Sequence, residues 1–218
     1  MYGWSVNVTA TLPKPVPRGR TKSQGSGLLT GTQVVSRQGW RPVETLVVGD
    51  MVQTFDNGFQ AVARITKRCL WENPANVASR DWPVVVPSGV LGNRAALTVL
   101  PDQGVLLEHD AISDPMGDCF GIVPGAALDG VCGMARCKPT DPAEVIIIEF
   151  ANEEVIFSEG GLMVRCPSCG RFSPAETLYN AIPLADARTL VATATNVSDS
   201  LSRAAKYVTS PKFGATTL

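Results

Sequence analysis

The stretch Leu28-Leu29-Thr30-Gly31-Thr32-Gln33-Val34-Val35-Ser36, then Gly39-Trp40-Arg41-Pro42-Val43-Glu44-Thr45-Leu46, then Val48-Gly49-Asp50-Met51-Val52, decides how the rest of the chain is read. A β-rich run ending at Ser36 leads to a turn at Gly39, a proline-led segment crosses over from Pro42, and Gly49-Asp50 turns the chain into the next strand, 51–55. Asp56-Asn57-Gly58 then closes a hairpin, because Asn-Gly supplies the positive-φ residues that tight hairpin turns need. Outward from here the rhythm continues. Short β-rich segments at 33–36, 60–68, 82–86, 97–100, 105–107, 145–149 and 154–157 are separated by turn signals. Helical signals come late: Ser173-Pro174-Ala175-Glu176 is a cap with proline at the first helical position, residues 184–195 form a second candidate, and Ser198 caps a third.

Composition agrees with a β body. The 218 residues are 44% hydrophobic and 18% charged, with 20 glycines and 16 prolines. This excludes a collagenous or wholly disordered chain and favours short strands and turns over long helices. Lys and Arg number 19 against 20 Asp and Glu, a net charge of −1, so no global field draws the chain to nucleic acid or to an anionic membrane. No segment approaches the ~20 apolar residues that span a bilayer. The start, Met1-Tyr2-Gly3-Trp4, lacks the basic opening and apolar stretch of a secretory signal, so a cytoplasmic location is expected. Six cysteines are too few for a disulfide scaffold, which agrees with a reducing compartment.

Four regions follow. Residues 1–26 combine an alternating strand, with Trp4, Val6 and Val8 on one face, and an arm carrying Pro13, Pro15 and Pro17 with Lys14, Arg18, Arg20 and Lys22 and no acid. Such an arm is a solvated spacer or a docking element. Residues 27–165 are the β domain, 166–208 a cysteine motif with the helical segment, and 209–218 a tail.

The opening block, with Pro87-Ser88-Gly89-Val90-Leu91-Gly92, the run from Leu97 to Leu107, Ala126-Ala127-Leu128-Asp129-Gly130, Val155-Ile156-Phe157 and Glu159-Gly160, resembles Hint domains, the fold shared by hedgehog autoprocessing domains and inteins. It looks closest to stand-alone Hint-type proteins of alphaproteobacteria, and the resemblance runs over about residues 27–195. It implies a mainly β, horseshoe-like fold of short antiparallel strands with a small C-terminal helical segment.

The resemblance also implies a chemistry. In Hint domains a Cys or Ser at the first residue attacks the carbonyl of the preceding peptide bond, and a second-block histidine polarises that amide and protonates its leaving nitrogen. Here the nucleophile position falls on Gly27 and the histidine position on Gln103, while a later position that often carries histidine falls on Glu153. None of the three holds a catalytic group. Ser26 is the residual candidate nucleophile, the plainer account being a joint between arm and domain. The single histidine, His109, lies between Glu108 and Asp110, outside both histidine positions, and is expected in a surface or capped loop. Glu153 and Glu154 are expected to be solvated.

Arg165-Cys166-Pro167-Ser168-Cys169-Gly170 has the form of a zinc knuckle, and Cys132 and Cys137 would complete four thiolates around a structural zinc. Free buried thiols and a disulfide stay open beside that reading. Cys69 and Cys119 are expected in the core, and Trp40, Trp71 and Trp82 as packing residues.

The function expected is that of a degenerate, non-processing Hint-fold protein, a structural or protein-interaction subunit that meets protein partners through residues 1–26 and the tail. Two alternatives accompany it: residual self-cleavage near Ser26-Gly27, and a zinc-stabilised subunit of a phage-like or other large assembly.

Overall fold

The computed structural model describes residues 26–90, 95–112, 119–170 and 179–193. The expected strand at 2–10, the basic arm, the helices at 173–178 and from 198, and the tail lie outside these residues. Among the described residues the strands are β1 (Leu28–Leu29), β2 (Gln33–Ser36), β3 (Gly39–Pro42), β4 (Met51–Thr54), β5 (Gly58–Ala61), β6 (Arg64–Trp71), β7 (Val84–Val86), β8 (Leu97–Val99), β9 (Gly104–Glu108), β10 (Phe120–Pro124), β11 (Ala135–Arg136), β12 (Ala143–Glu149), β13 (Glu154–Phe157) and β14 (Met163–Cys166). One helix follows, α1 (Leu184–Thr193). The all-β body with a late helix is what the turn-punctuated sequence predicts, and every paired strand is antiparallel.

Eight strands form the central sheet, in the order β10-β9-β14-β13-β4-β2-β3 with β5 on the flank of β4. Two three-stranded sheets, β1-β12-β6 and β11-β7-β8, complete the body. Successive side chains in a strand point to opposite faces. The central sheet therefore builds two cores: Val34, Val52, Val105, Leu107, Ile156 and Val164 enter the main one, while Leu106, Ile122, Val155, Phe157 and Met163 enter a second on the other face, closed by Tyr179. Edge-to-face contacts fill the second core, with Phe55 and Phe120 centroids 5.4 Å apart and Phe120 and Tyr179 6.1 Å apart.

The Asp56-Asn57-Gly58 turn is present, and Gly58 takes φ 65° as the hairpin requires. The expected segment 60–68 divides into β5 and β6, strands β10, β11 and β14 form where none is expected, and further boundaries shift. Residues 39–42 form β3 at the sheet edge, where Pro42 lacks a donor without breaking an interior ladder. Trp82 ends a 3₁₀ turn ahead of β7, its indole donating to the Val77 carbonyl at 2.9 Å.

A buried 3₁₀ turn, Gly125–Leu128, lies against the loop that precedes β9. Gly125 N donates to the Gln103 carbonyl at 2.8 Å and Ala126 N to the Pro101 carbonyl at 2.9 Å. A Cβ at Gly125 would stand 2.4 Å from the Leu100 carbonyl oxygen and 2.7 Å from Val99 Cγ1, so two backbones meet here at a distance only glycine allows. Gly125→Ala is expected to destabilise the fold by about 1–3 kcal/mol, read as a lower urea midpoint at unchanged slope.

Candidate functional site

Gly27 lies one residue before β1, which pairs with β12 through Leu28 and Ile146. Its backbone takes φ 120°, a region that L side chains rarely adopt. A Cβ at this position would lie 2.5 Å from Val145 Cγ2, 3.1 Å from Ile147 Cγ1 and 3.2 Å from the Ile146 carbonyl oxygen. Side chains of β12 occupy the space that a side chain here would take.

Gln103 reaches this point from the other direction. It ends the turn between β8 and β9, and its side chain is buried at 4% exposure. Its Oε1 accepts from Gly27 N at 2.8 Å, while Nε2 donates to the Gly104 carbonyl at 3.0 Å and the Arg165 carbonyl at 2.9 Å. These bonds fix the orientation of the amide. Turning it over would set Nε2 against an N–H and Oε1 against two carbonyls, leaving buried groups unpaired.

Glu153 joins the same neighbourhood through Arg165. The expectation that Glu153 and Glu154 are solvated is corrected: they are 4% and 2% exposed. They open β13, which lies between β14 and β4 in the middle of the sheet, so a strand start that looks terminal in the sequence is enclosed in the fold. Glu153 pairs with the Arg165 guanidinium, and Asn57 Nδ2 donates to both carboxylate oxygens of Glu154, at 3.2 and 3.0 Å. Burial is the leading influence on Glu154 and raises its pKa; the Asn57 and Thr54 hydrogen bonds oppose it and the Asp56 charge adds to it.

Ser26, Gly27, Gln103, Arg165 and Cys166 line a cavity of about 250 Å³. Gly27 thus meets Gln103 directly, and Glu153 approaches through Arg165, whose carbonyl Gln103 also holds and which no sequence motif singles out. Its signal was present as a lone cation in the otherwise apolar strand Met163-Val164-Arg165-Cys166. His109 is not in the cavity. It follows the far end of β9, about 20 Å from Gln103 at strand spacing, with Nδ1 accepting from Ala111 N at 3.0 Å and Nε2 3.5 Å from Thr193 Oγ1.

The four cysteines expected around zinc do not come together, and among the described residues no three His, Cys, Asp or Glu side chains form a metal-binding group. The reason is local. Cys166 ends β14 with its side chain in the main core, and the residues after it run alongside Phe150 instead of closing a knuckle. Phe150 N donates to the Pro167 carbonyl at 3.1 Å, Cys169 N donates to the Phe150 carbonyl at 2.8 Å, and Ser168 bridges Phe150 in parallel. This extended course separates Cys166 from Cys169. Cys132 and Cys137 are exposed on the loop around β11, in a different sheet. Cys69 is exposed and Cys119 half-buried, against the expectation of core positions. Trp40 is 47% exposed, so it too departs from its expected packing role. Burial, then the Glu154 and Glu153 carboxylates, push the Cys166 thiol well above its ordinary pKa and suppress its nucleophilic form.

The arrangement holds a peptide N–H. It places no attacking side chain at Gly27 and no exchangeable proton at Gln103.

A family model described as the Hint domain matches residues 26–163. Among solved structures, the splice-inactive variant of the AceL NrdHF class 3 split intein is 14% identical, covering 66% of this chain and 99% of its own, with a TM-score of 0.41. A bacterial intein-like domain from Clostridium thermocellum is 10% identical, covering 64% of this chain and 96% of its own, with a TM-score of 0.41. The Msm DnaB1 intein splicing domain bound with zinc is 15% identical, covering 65% of this chain and 99% of its own, with a TM-score of 0.37. Among curated proteins none matches.

Two outcomes are expected. Gly27→Ala should lose about 2–4 kcal/mol from combined backbone strain and overpacking, measured by urea unfolding. A carboxyl whose pKa is raised on folding binds more protons in the folded state, so its contribution to stability is full below the ordinary value of 4.5 and declines as pH rises through the folded value. Unfolding midpoints measured upward from pH 4.5 should carry this downward slope, and Glu154→Gln should flatten it.

Proposed function

The chain belongs to the Hint domain family, and from that premise we propose that it is a non-processing member, a structural or protein-interaction subunit without the peptide-rearranging chemistry of its fold. The observation that carries this reading is the hydrogen bond from Gly27 N to Gln103 Oε1 at 2.8 Å. The nitrogen belongs to the Ser26–Gly27 peptide bond, the bond that the family's chemistry would open.

Breaking an amide there requires a proton delivered to the nitrogen and a nucleophile delivered to the carbonyl carbon. Gln103 presents an acceptor to that nitrogen, so it holds the N–H and supplies nothing to it. An acceptor on the N–H favours the planar, resonance-stabilised amide over the protonated, pyramidal nitrogen that leaves. The geometry of a catalytic contact is kept while its direction of proton transfer is lost. Absence of a side chain at Gly27 removes the other requirement.

With the chemistry set aside, what remains is a β body whose strand β1 is tied to β12 just after Gly27. We assign protein partners to residues 1–26 and to the C-terminal tail on composition: the arm is proline-rich and basic, and ordering a polyproline-like segment costs little entropy.

Intact-mass spectrometry of the chain carrying an N-terminal extension tests the reading. A single full-length mass is expected after prolonged incubation, with and without added thiol or hydroxylamine. A cut between residues 25 and 28 would overturn it in favour of residual self-cleavage.

A further inference from the structure

The segment that follows β14 lies beyond the 26–163 family match, yet it is built into the body at three places. Tyr179 Oη donates to Asp56 Oδ1 at 2.7 Å, tying the segment to the β4–β5 turn. Ile122 N then donates to the Asn180 carbonyl at 2.9 Å and Ile182 N to the Ile122 carbonyl at 2.8 Å, which lays residues 180–182 along the outer edge of β10. Last, α1 buries Ala187 and Val191 completely and packs on the 3₁₀ turn Gly125–Leu128.

That turn is the one whose Gly125 N holds the Gln103 carbonyl at 2.8 Å, and whose Ala126 N holds that of Pro101 at 2.9 Å. A continuous series of contacts therefore runs from α1 through residues 125–128 to the 100–103 loop, and through the Gln103 side chain to Gly27 N. The contact at Gly125 leaves no slack, since a single added carbon would collide with the Leu100 carbonyl. Displacement of the turn must move the loop.

We propose that residues 179–193 are a strap that positions Gln103, coupling α1 to the backbone amide that precedes β1. The two-state element is the strap, docked or undocked. Docked, it presses the 125–128 turn onto the 100–103 loop and keeps the Gly27 hydrogen bond closed. Undocked, it frees the loop and opens that bond. A ligand that undocks the strap thereby opens the Gly27 hydrogen bond, and whatever opens that bond weakens the docking of the strap by the same factor. Tyr179, Ala187 and Val191 are positioning residues in this scheme. The proposal stands whether or not the Ser26–Gly27 bond is ever cleaved, since it concerns a hydrogen bond and not a reaction.

Amide hydrogen exchange in the full chain reads the coupling directly, because the Gly27 amide is protected by the Gln103 bond while the Val155 and Val164 amides report the β13–β14 core. In Val191→Asp, which undocks α1, the Gly27 amide should exchange at least about tenfold faster while the core amides stay within about twofold. Tyr179→Phe, which removes one hydrogen bond and no packing volume, should raise Gly27 exchange by a smaller factor in the same direction. Should Val191→Asp fail to fold, Val191→Ala takes its place with the same criterion. Release of the α1 amides with Gly27 unchanged would overturn the proposal. So would a uniform rise of all amides in the Tyr179 variant, which would reduce the strap to a contributor to global stability.

Discussion

One buried primary amide, that of Gln103, joins three stretches of chain that are far apart in sequence: the residue before β1, the start of β9 and the end of β14. Each bond alone is worth about 1 kcal/mol net. Their joint consequence is larger than that sum, because losing the side chain would leave a half-buried N–H and two half-buried carbonyls without this partner at the seam between the central sheet and the β1-β12-β6 sheet. The site is therefore a joint of the fold first.

Much of the architecture was legible in the chain. Turn signals at Gly39, Gly49 and Asn57-Gly58 mark strand boundaries in the sequence, and Gly27 and Gln103, singled out there together, stand in hydrogen-bond contact in the fold. What escaped was whatever depends on the third dimension. Burial of Glu153 and Glu154 could not be read from two adjacent carboxylates, because it follows from the place of β13 between two other strands. Arg165 shows in the sequence only as a lone cation in an apolar strand, and its partner, Glu153 just ahead of β13, is supplied by the fold.

The cysteines teach the opposite lesson. Cys-Pro-Ser-Cys is a short local pattern that fits a metal-binding turn, and spacing alone favours that reading. The backbone takes another course because Phe150 offers one N–H and one carbonyl to residues 167–169, and extended pairing satisfies both. Tertiary hydrogen bonding decides the local conformation here. The same holds for β3, where a Gly-Trp-Arg-Pro sequence that reads as a turn becomes an edge strand because Val34 and Val35 stand opposite Arg41 and Trp40.

The positive φ at Gly27 has a consequence for substitution at this position. Any side chain here would require the backbone to leave φ 120° and β12 to withdraw Val145 and Ile147 at the same time. Exchange of one residue supplies neither movement, so a tolerated substitution at Gly27 has to come together with smaller side chains on β12.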